Sequence, residues 1–332
     1  MDNTTFNVYG FRFTVSGSFG SSIGGICEDF SYFTDSANGS EFSIQLIDSE
    51  PDYDRLPPVT ASVYTPRNVV FKQDGVSYID YQGRGLGIYD ESNRVFQVIS
   101  RDSDLAYEAA YLFLLSRVGS YLDNKGMHRV HALAISVAGK AVLVLLPSGG
   151  GKSTLAVELL KHAEVSLLSD DSPFVDRSGY IYAFPLRLGL LPGNLQDLKT
   201  EDYRTVERME FSTKHLLNYT YFSKRVAPKA TPGLVILGAR TLAWEPRIVD
   251  IGRFKGFRAM VANCVIGMGL FQGLEFILSS TPWELLGKFG LVFSRSRNSL
   301  ALLLRSKVCR LYLGRSAALN AELILEKVKS IS

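Results

Sequence analysis

The chain is poor in histidine and cysteine and has no long uninterrupted apolar run. Its four histidines, His128, His131, His162 and His215, make no metal-binding spacing, and none precedes position 128. The three cysteines, Cys27, Cys264 and Cys309, are scattered and odd in number. That pattern excludes a disulfide framework and a zinc spacing, and it sets a reducing, cytoplasmic location as the expectation. The opening MDNTTFNVYG lacks a basic stretch followed by an apolar core, so no secretory signal is expected. The most apolar window, Val261 to Leu278, is interrupted by Asn263, Gln272 and Glu275. This favours a buried helix or strand pair over a membrane span. No recognised nucleic-acid motif is present, so neither a membrane nor a nucleic acid is expected as a partner.

What is present is a globular balance. Of 332 residues, 46% are apolar and 21% charged, enough to bury a real core. Charge is uneven: residues 1–100 hold 6 Lys and Arg against 13 Asp and Glu, and the remainder holds 30 against 20. A basic second part suits phosphate handling or an acidic partner, and it equally suits electrostatic complementarity between two halves of one molecule.

Residues 6–100 read as short β-branched and aromatic runs: 6–15, 42–47, 59–64, 69–72, 76–81, 87–89 and 94–99. Turn residues separate them, including Gln73-Asp74-Gly75. This predicts a β-rich accessory domain over 1–102, serving recognition or acting as a structural cover. Apolar residues at three- and four-residue steps predict a connecting helix near 104–122, within a linker 103–126. The remainder, 127–332, reads as a second domain.

The most informative stretch is LPSGGGKST, Leu146 to Thr154. A buried strand, a glycine-rich turn and a helix start, in that order, describe a phosphate-binding P-loop. Backbone N–H groups of Ser148, Gly149, Gly150 and Gly151, with the helix N-terminus, can cradle phosphate oxygens. Lys152 would reach the β- and γ-phosphates, and Ser153, followed by Thr154, would place a hydroxyl on magnesium. The first glycine of the full pattern is replaced by Leu146. Before the loop, 131–137 and 141–146 read as a hairpin turning at Ala138-Gly139-Lys140. After the helix, predicted over 152–163, the strand 165–168 ends in Ser169-Asp170-Asp171. A further hairpin and Leu186-Arg187-Leu188-Gly189 follow.

That series of features resembles the catalytic domain of HPr kinase/phosphorylase: a His about twenty residues ahead of the loop lysine, a hairpin, SGGGKST, a helix, an Asp-Asp strand end and an Arg segment. The chain is similar above all to the divergent branch of that family associated with lasso-peptide and other peptide-modification genes. The resemblance implies an α/β fold of the HPr kinase and phosphoenolpyruvate carboxykinase type, preceded here by the small β-rich domain. It implies ATP and Mg2+ as cofactors and transfer of the γ-phosphate to a hydroxyl, a serine above all, of a peptide, protein or small molecule. Of the Asp pair, one residue would be the base and the other the metal-side partner. We assign Asp170 as base and Asp171, with Ser153, to the metal, with the reverse order left open. His131 would tune or hold that base, and Arg187 would grip phosphate oxygens. Pro185 replaces the family's glutamate, which favours kinase activity without phosphorylase activity. The family forms hexamers, and a homo-oligomer is an open expectation here.

Residues 201–260 carry 11 Lys and Arg, and Tyr219 to Thr231 mixes them with aromatics. These cations would neutralise transferred phosphate or form an exposed basic loop. The alternative overall reading is a non-catalytic ATP-binding sensor or partner-binding protein on the same scaffold. A further one is other nucleotide chemistry, such as adenylylation.

Overall fold

A computed structural model describes residues 4–36, 39–190, 198–206, 213–265 and 282–331. The chain divides into two compact units. The first is Met1–Tyr121 with Asp197–Tyr219, and the second is Leu122–Gln196 with Thr220–Ser332. The division differs from the sequence reading in two ways. Most of the helix read as a connector counts with the first unit, and a stretch from the middle of the second domain belongs to the first.

The first unit is built on a nine-stranded sheet. From one edge its order is Thr34–Asp35, Thr5–Val8, Phe11–Gly17, Phe42–Asp48, Val95–Ser100, Gly85–Asp90, Val76–Asp80, Val69–Gln73 and Ala61–Tyr64. Phe42–Asp48 runs parallel to both Phe11–Gly17 and Val95–Ser100, and the other neighbours are antiparallel. Parallel neighbours need a crossover, and the helix Gly20–Asp29 lies in the first one. The sequence there, GSSIGG, reads as a turn, so this helix was not expected. The connecting helix, predicted over 104–122, spans Ser103–Asn124. Phe6, Phe13, Phe30 and Phe96 are fully buried. The Phe6 and Phe13 rings stack at 5.1 Å, and Phe113 of the long helix stacks on Phe96 at 3.8 Å. Each such ring contributes roughly 1.5–3 kcal/mol by leaving water.

The second unit carries a mixed sheet. Its main path is His128–Arg129, Phe174–Val175, Ile181–Tyr182, Lys229–Arg240, Lys140–Leu145, Leu133–Val137 and Val165–Ser169. The long strand Lys229–Arg240 also pairs in parallel with Lys307–Leu313, which pairs with Arg247–Asp250. Leu133–Val137 and Lys140–Leu145 form the expected antiparallel hairpin. Its turn has Ala138 and Gly139 both at positive φ, +48° and +76°, the geometry that matches strand twist. The helices Lys152–Leu160 and Ala317–Lys329 pack together. Thus the α/β class of the sequence reading holds for the second unit.

Among the described residues no helix is long and apolar enough to cross a membrane. The apolar window Val261 to Leu278 begins as a π-helical turn, Val261–Val265, and its remainder lies outside the described residues. All three cysteines are free. Burial pushes the Cys264 thiol up to about 11 and the Cys309 thiol up to about 12.

Candidate active site

The strand Lys140–Leu145 delivers the chain to Pro147, and the helix Lys152–Leu160 takes it away. Between them the backbone must reverse tightly. Gly149 and Gly151 do so at φ +72° and +96°, where a side chain would be strained. Gly150 N–H donates to the Pro147 carbonyl at 2.9 Å. A Cβ at Gly150 would sit 2.8 Å from that same oxygen, so the middle glycine is held by close backbone approach. Gly151 is the helix N-cap and supplies no side-chain acceptor. The first-turn N–H groups therefore have no capping oxygen from that residue.

Leu146, the departure from the glycine pattern, has a counterpart elsewhere in the sheet. Its side chain is buried and lies over Gly238 of the neighbouring strand. A Cβ at Gly238 would come within 2.5 Å of Leu146 Cδ2. The glycine missing before the loop is thus matched by one opposite it, which makes room for the leucine.

Lys152 is almost fully buried. Its Nζ donates to the Leu146 carbonyl at 2.9 Å and, more weakly, to that of Pro147 at 3.4 Å. It also lies 2.9 Å from His131 Nε2. An ammonium can only donate, so Nε2 accepts and the ring proton is assigned to Nδ1. That atom faces Asp171 Oδ1 at 3.2 Å, at an angle that makes a polar contact rather than a formed hydrogen bond. Lys152 Nζ is 3.4 Å from the same carboxylate oxygen. Asp171, His131 and Lys152 therefore form one polar triangle. His131 is fixed from behind by its backbone N–H, which donates to the Asn263 carbonyl at 3.0 Å. The π-helical turn thereby anchors the backbone at His131. Such turns often mark functional sites.

Asp170 lies immediately after the strand Val165–Ser169 and is buried. Ser153 Oγ donates to its Oδ2 at 2.6 Å. Asp171, one residue later, has a half-exposed side chain. The pairing of Leu133–Val137 with Val165–Ser169 shifts register between Ala134 and Ile135. Such an irregularity re-aims neighbouring side chains. The Asp pair is held in place by Ala132 N–H, which donates to the Asp171 carbonyl at 3.1 Å, and by Ser172 N–H, which donates to Ser169 Oγ at 3.0 Å. The structure thus gathers Lys152, Ser153, Asp170, Asp171 and His131 at one end of the sheet. Ser153 stands with Asp170, while Asp171 stands with Lys152 and His131.

Arg187 is half-buried and immediately precedes the strand Leu188–Leu190, which packs on the helix Lys152–Leu160. The segment ahead of it runs beside the Asp-bearing strand, where Phe184 N–H donates to the Leu168 carbonyl at 2.7 Å. Of the basic cluster, Arg225 has a structural task. Its Nη1 donates to the carbonyls of Leu160 and His162 at 2.7 and 2.8 Å. It so closes the C-terminal end of the glycine-loop helix, where a cation is favoured. Sequence reasoning passed over Gly238 and met Asn263 only as an interruption of the apolar window.

A magnesium ion would suit this arrangement. Serine hydroxyl and carboxylate are hard oxygen donors, and such sites use one or two protein ligands completed by phosphate and water. The Ser153–Asp170 contact supplies that pair. Among the described residues no cluster of three or more His, Cys, Asp or Glu forms a self-sufficient metal site. No protein-family model matches the chain, and no curated protein matches it.

Proposed function

We propose that this protein is an ATP-dependent phosphotransferase that moves a γ-phosphate to a hydroxyl group of a peptide, protein or small molecule. The observation that carries the reading is the pairing of two carboxylates with two loop side chains: Asp170 with Ser153, and Asp171 with Lys152. A glycine turn alone binds phosphate; a second carboxylate at its rim adds a base.

The glycine loop and the helix N-terminus would receive the phosphates through backbone N–H groups. Ser153 and Asp170 would hold Mg2+. The chemistry such an ion would supply there is neutralisation of part of the phosphate charge. This exchanges the roles first assigned to the Asp pair, because the buried carboxylate is the one at the serine hydroxyl. Asp171, more exposed, would accept the proton of the acceptor hydroxyl. His131 would orient that carboxylate through Nδ1. Lys152 would turn from the Leu146 and Pro147 carbonyls toward the transferred phosphoryl group and stabilise its charge. Arg187 is proposed as a second cation at that group. A cytoplasmic setting suits an ATP-dependent enzyme with free thiols.

The test is intact-mass spectrometry over candidate peptides and hydroxylated small molecules, with thermal unfolding in ATP and Mg2+ run in parallel. A gain of one phosphate on an acceptor supports the proposal. Stabilisation by nucleotide with no acceptor modified would identify a nucleotide sensor instead. A gain of a nucleotidyl group would identify adenylylation.

A further inference from the structure

A cleft of about 260 Å³ lies within the second unit at the amino ends of three strands, Lys140–Leu145, Lys229–Arg240 and Lys307–Leu313. The glycine loop lies beyond the opposite, carboxyl end of the first of these. The cleft is therefore separate from the site already described. Its wall includes a break in the central pairing. The register of Lys140–Leu145 against Lys229–Arg240 shifts between Ala141 and Val142, passing over Gly233. A Cβ at Gly233 would meet both the Ala141 carbonyl and Lys140 Cβ at 3.0 Å. An irregularity of this kind in a central strand is a feature that sheets reserve for special positions.

The lining combines apolar surface with positive charge. Leu234 and Val328 are buried beneath the wall, and Leu304 and Ile331 give it accessible apolar surface. Lys140, Arg253 and Lys307 also line the cleft, come from separate elements and are all exposed. Among the described residues no carboxylate pairs with any of the three. Arg305, the remaining cation of the lining, has Nη1 donating to the Ser178 carbonyl at 2.7 Å and so already has a partner. Arg253 also opens the helix Arg253–Met260, whose N-cap Gly252 offers no side-chain acceptor and whose first turn holds no acid. That helix end adds its own partial positive charge to the rim. Two other cations of this unit do have carboxylate partners: Lys327 binds Asp250 at 2.7 Å and Arg295 binds Asp123 at 2.7 Å.

We infer that this cleft is a binding site for a small organic anion, with the apolar body against Leu304 and Ile331 and the phosphate or carboxylate among Lys140, Arg253 and Lys307. A concave, partly apolar cleft suits a small molecule better than an extended polymer, and converging cations fix the orientation of its charged end.

Isothermal titration with phenyl phosphate and, separately, with benzoate tests this. The full chain carries Lys152→Ala to weaken phosphate binding at the glycine loop. One saturable site is expected for at least one of the two, and the tighter ligand identifies the preferred anion. The double variant Arg253→Glu/Lys307→Glu is expected to bind roughly tenfold or more weakly, since two charge-assisted contacts become repulsive. A milder variant, Arg253→Gln/Lys307→Gln, should lie between, with unfolding temperature as the control for folding. Lys72→Glu, an exposed lysine of the first unit, should leave binding unchanged. Lack of binding by both probes, or binding indifferent to the charge reversals, would overturn the inference. So would binding confined to an acidic peptide.

Discussion

Ser153 Oγ lies 2.6 Å from Asp170 Oδ2, across 17 residues of chain. The contact joins the first turn of the glycine-loop helix to the end of the next strand. It leaves the adjacent Asp171 free of that task and turned toward Lys152 and His131. Two neighbouring carboxylates thus occupy different chemical settings.

The two aspartates should therefore fail in different ways. Asp170→Asn is expected to raise the Mg2+ concentration needed for half-maximal transfer, with a smaller fall in the rate at saturating Mg2+. A Mg2+ titration of the transfer rate checks this. An unchanged Mg2+ requirement would remove Asp170 from the metal side.

Gly238→Ala should destabilise the second unit by about 1–3 kcal/mol, the usual cost of forcing extra volume into a packed interior. The added methyl meets Leu146 Cδ2 at 2.5 Å. Adding Leu146→Ala should recover part of the loss, because the two residues share one space. A double-mutant cycle from urea unfolding measures the coupling. Simple additivity would mean that the glycine does not accommodate the leucine.

Acid should loosen the second unit through Asp123. Its carboxylate receives His128 Nδ1 at 2.7 Å and Arg295 Nη2 at 2.7 Å. Burial works to raise this carboxyl, but the His128 hydrogen bond and the Arg295 charge outweigh it and hold the group below its ordinary value. A depressed carboxyl contributes stability that is fully present above its unfolded value, about 3.9, and is lost as pH falls through the lower folded value. Unfolding free energy measured from pH 7 downward should fall in that range. Asp123→Asn should be less stable at pH 7 and flatter in acid. An identical acid slope in the variant would refute the assignment.

In the first unit, Asp29 is buried and accepts from Arg204, and Tyr107 Oη donates to its other oxygen at 2.6 Å. The two charged residues are 175 positions apart. Removing one member of a buried pair strands the other, typically at about 3–5 kcal/mol; the partial exposure of Arg204 puts this case at the low end. Arg204→Met should speed amide hydrogen exchange in the strands Tyr203–Val206 and Lys214–Leu217 more than in the nine-stranded sheet. Unchanged local exchange would mean that other contacts hold the hairpin.

Much of the site was legible because it is local. The hairpin before the loop follows from apolar strands around Ala138-Gly139, and the loop from three glycines followed by Lys152. The Asp pair was legible too, but which of the two meets Ser153 was not. Which carboxylate meets Ser153 depends on how the strand end is turned, beside the register shift at Ala134/Ile135. The helix Gly20–Asp29 was hidden because its glycines and serines carry turn signals, while tertiary burial of Ile26 supports it. The membership of 197–219 in the first unit was hidden because it rests on contacts such as Arg204 with Asp29, which no local pattern announces. Gly238 was silent for the same reason: its meaning is the side chain of Leu146 across the sheet.

The most direct test of the central claim compares wild type with Asp171→Asn in one experiment. Phosphate transfer to an acceptor is followed by intact mass, and ATP affinity is followed by titration in Mg2+. Loss of a positioned base should slow transfer by roughly 10²–10⁴-fold while the nucleotide still binds within a few-fold of wild type. Transfer at a near wild-type rate in Asp171→Asn would contradict the account.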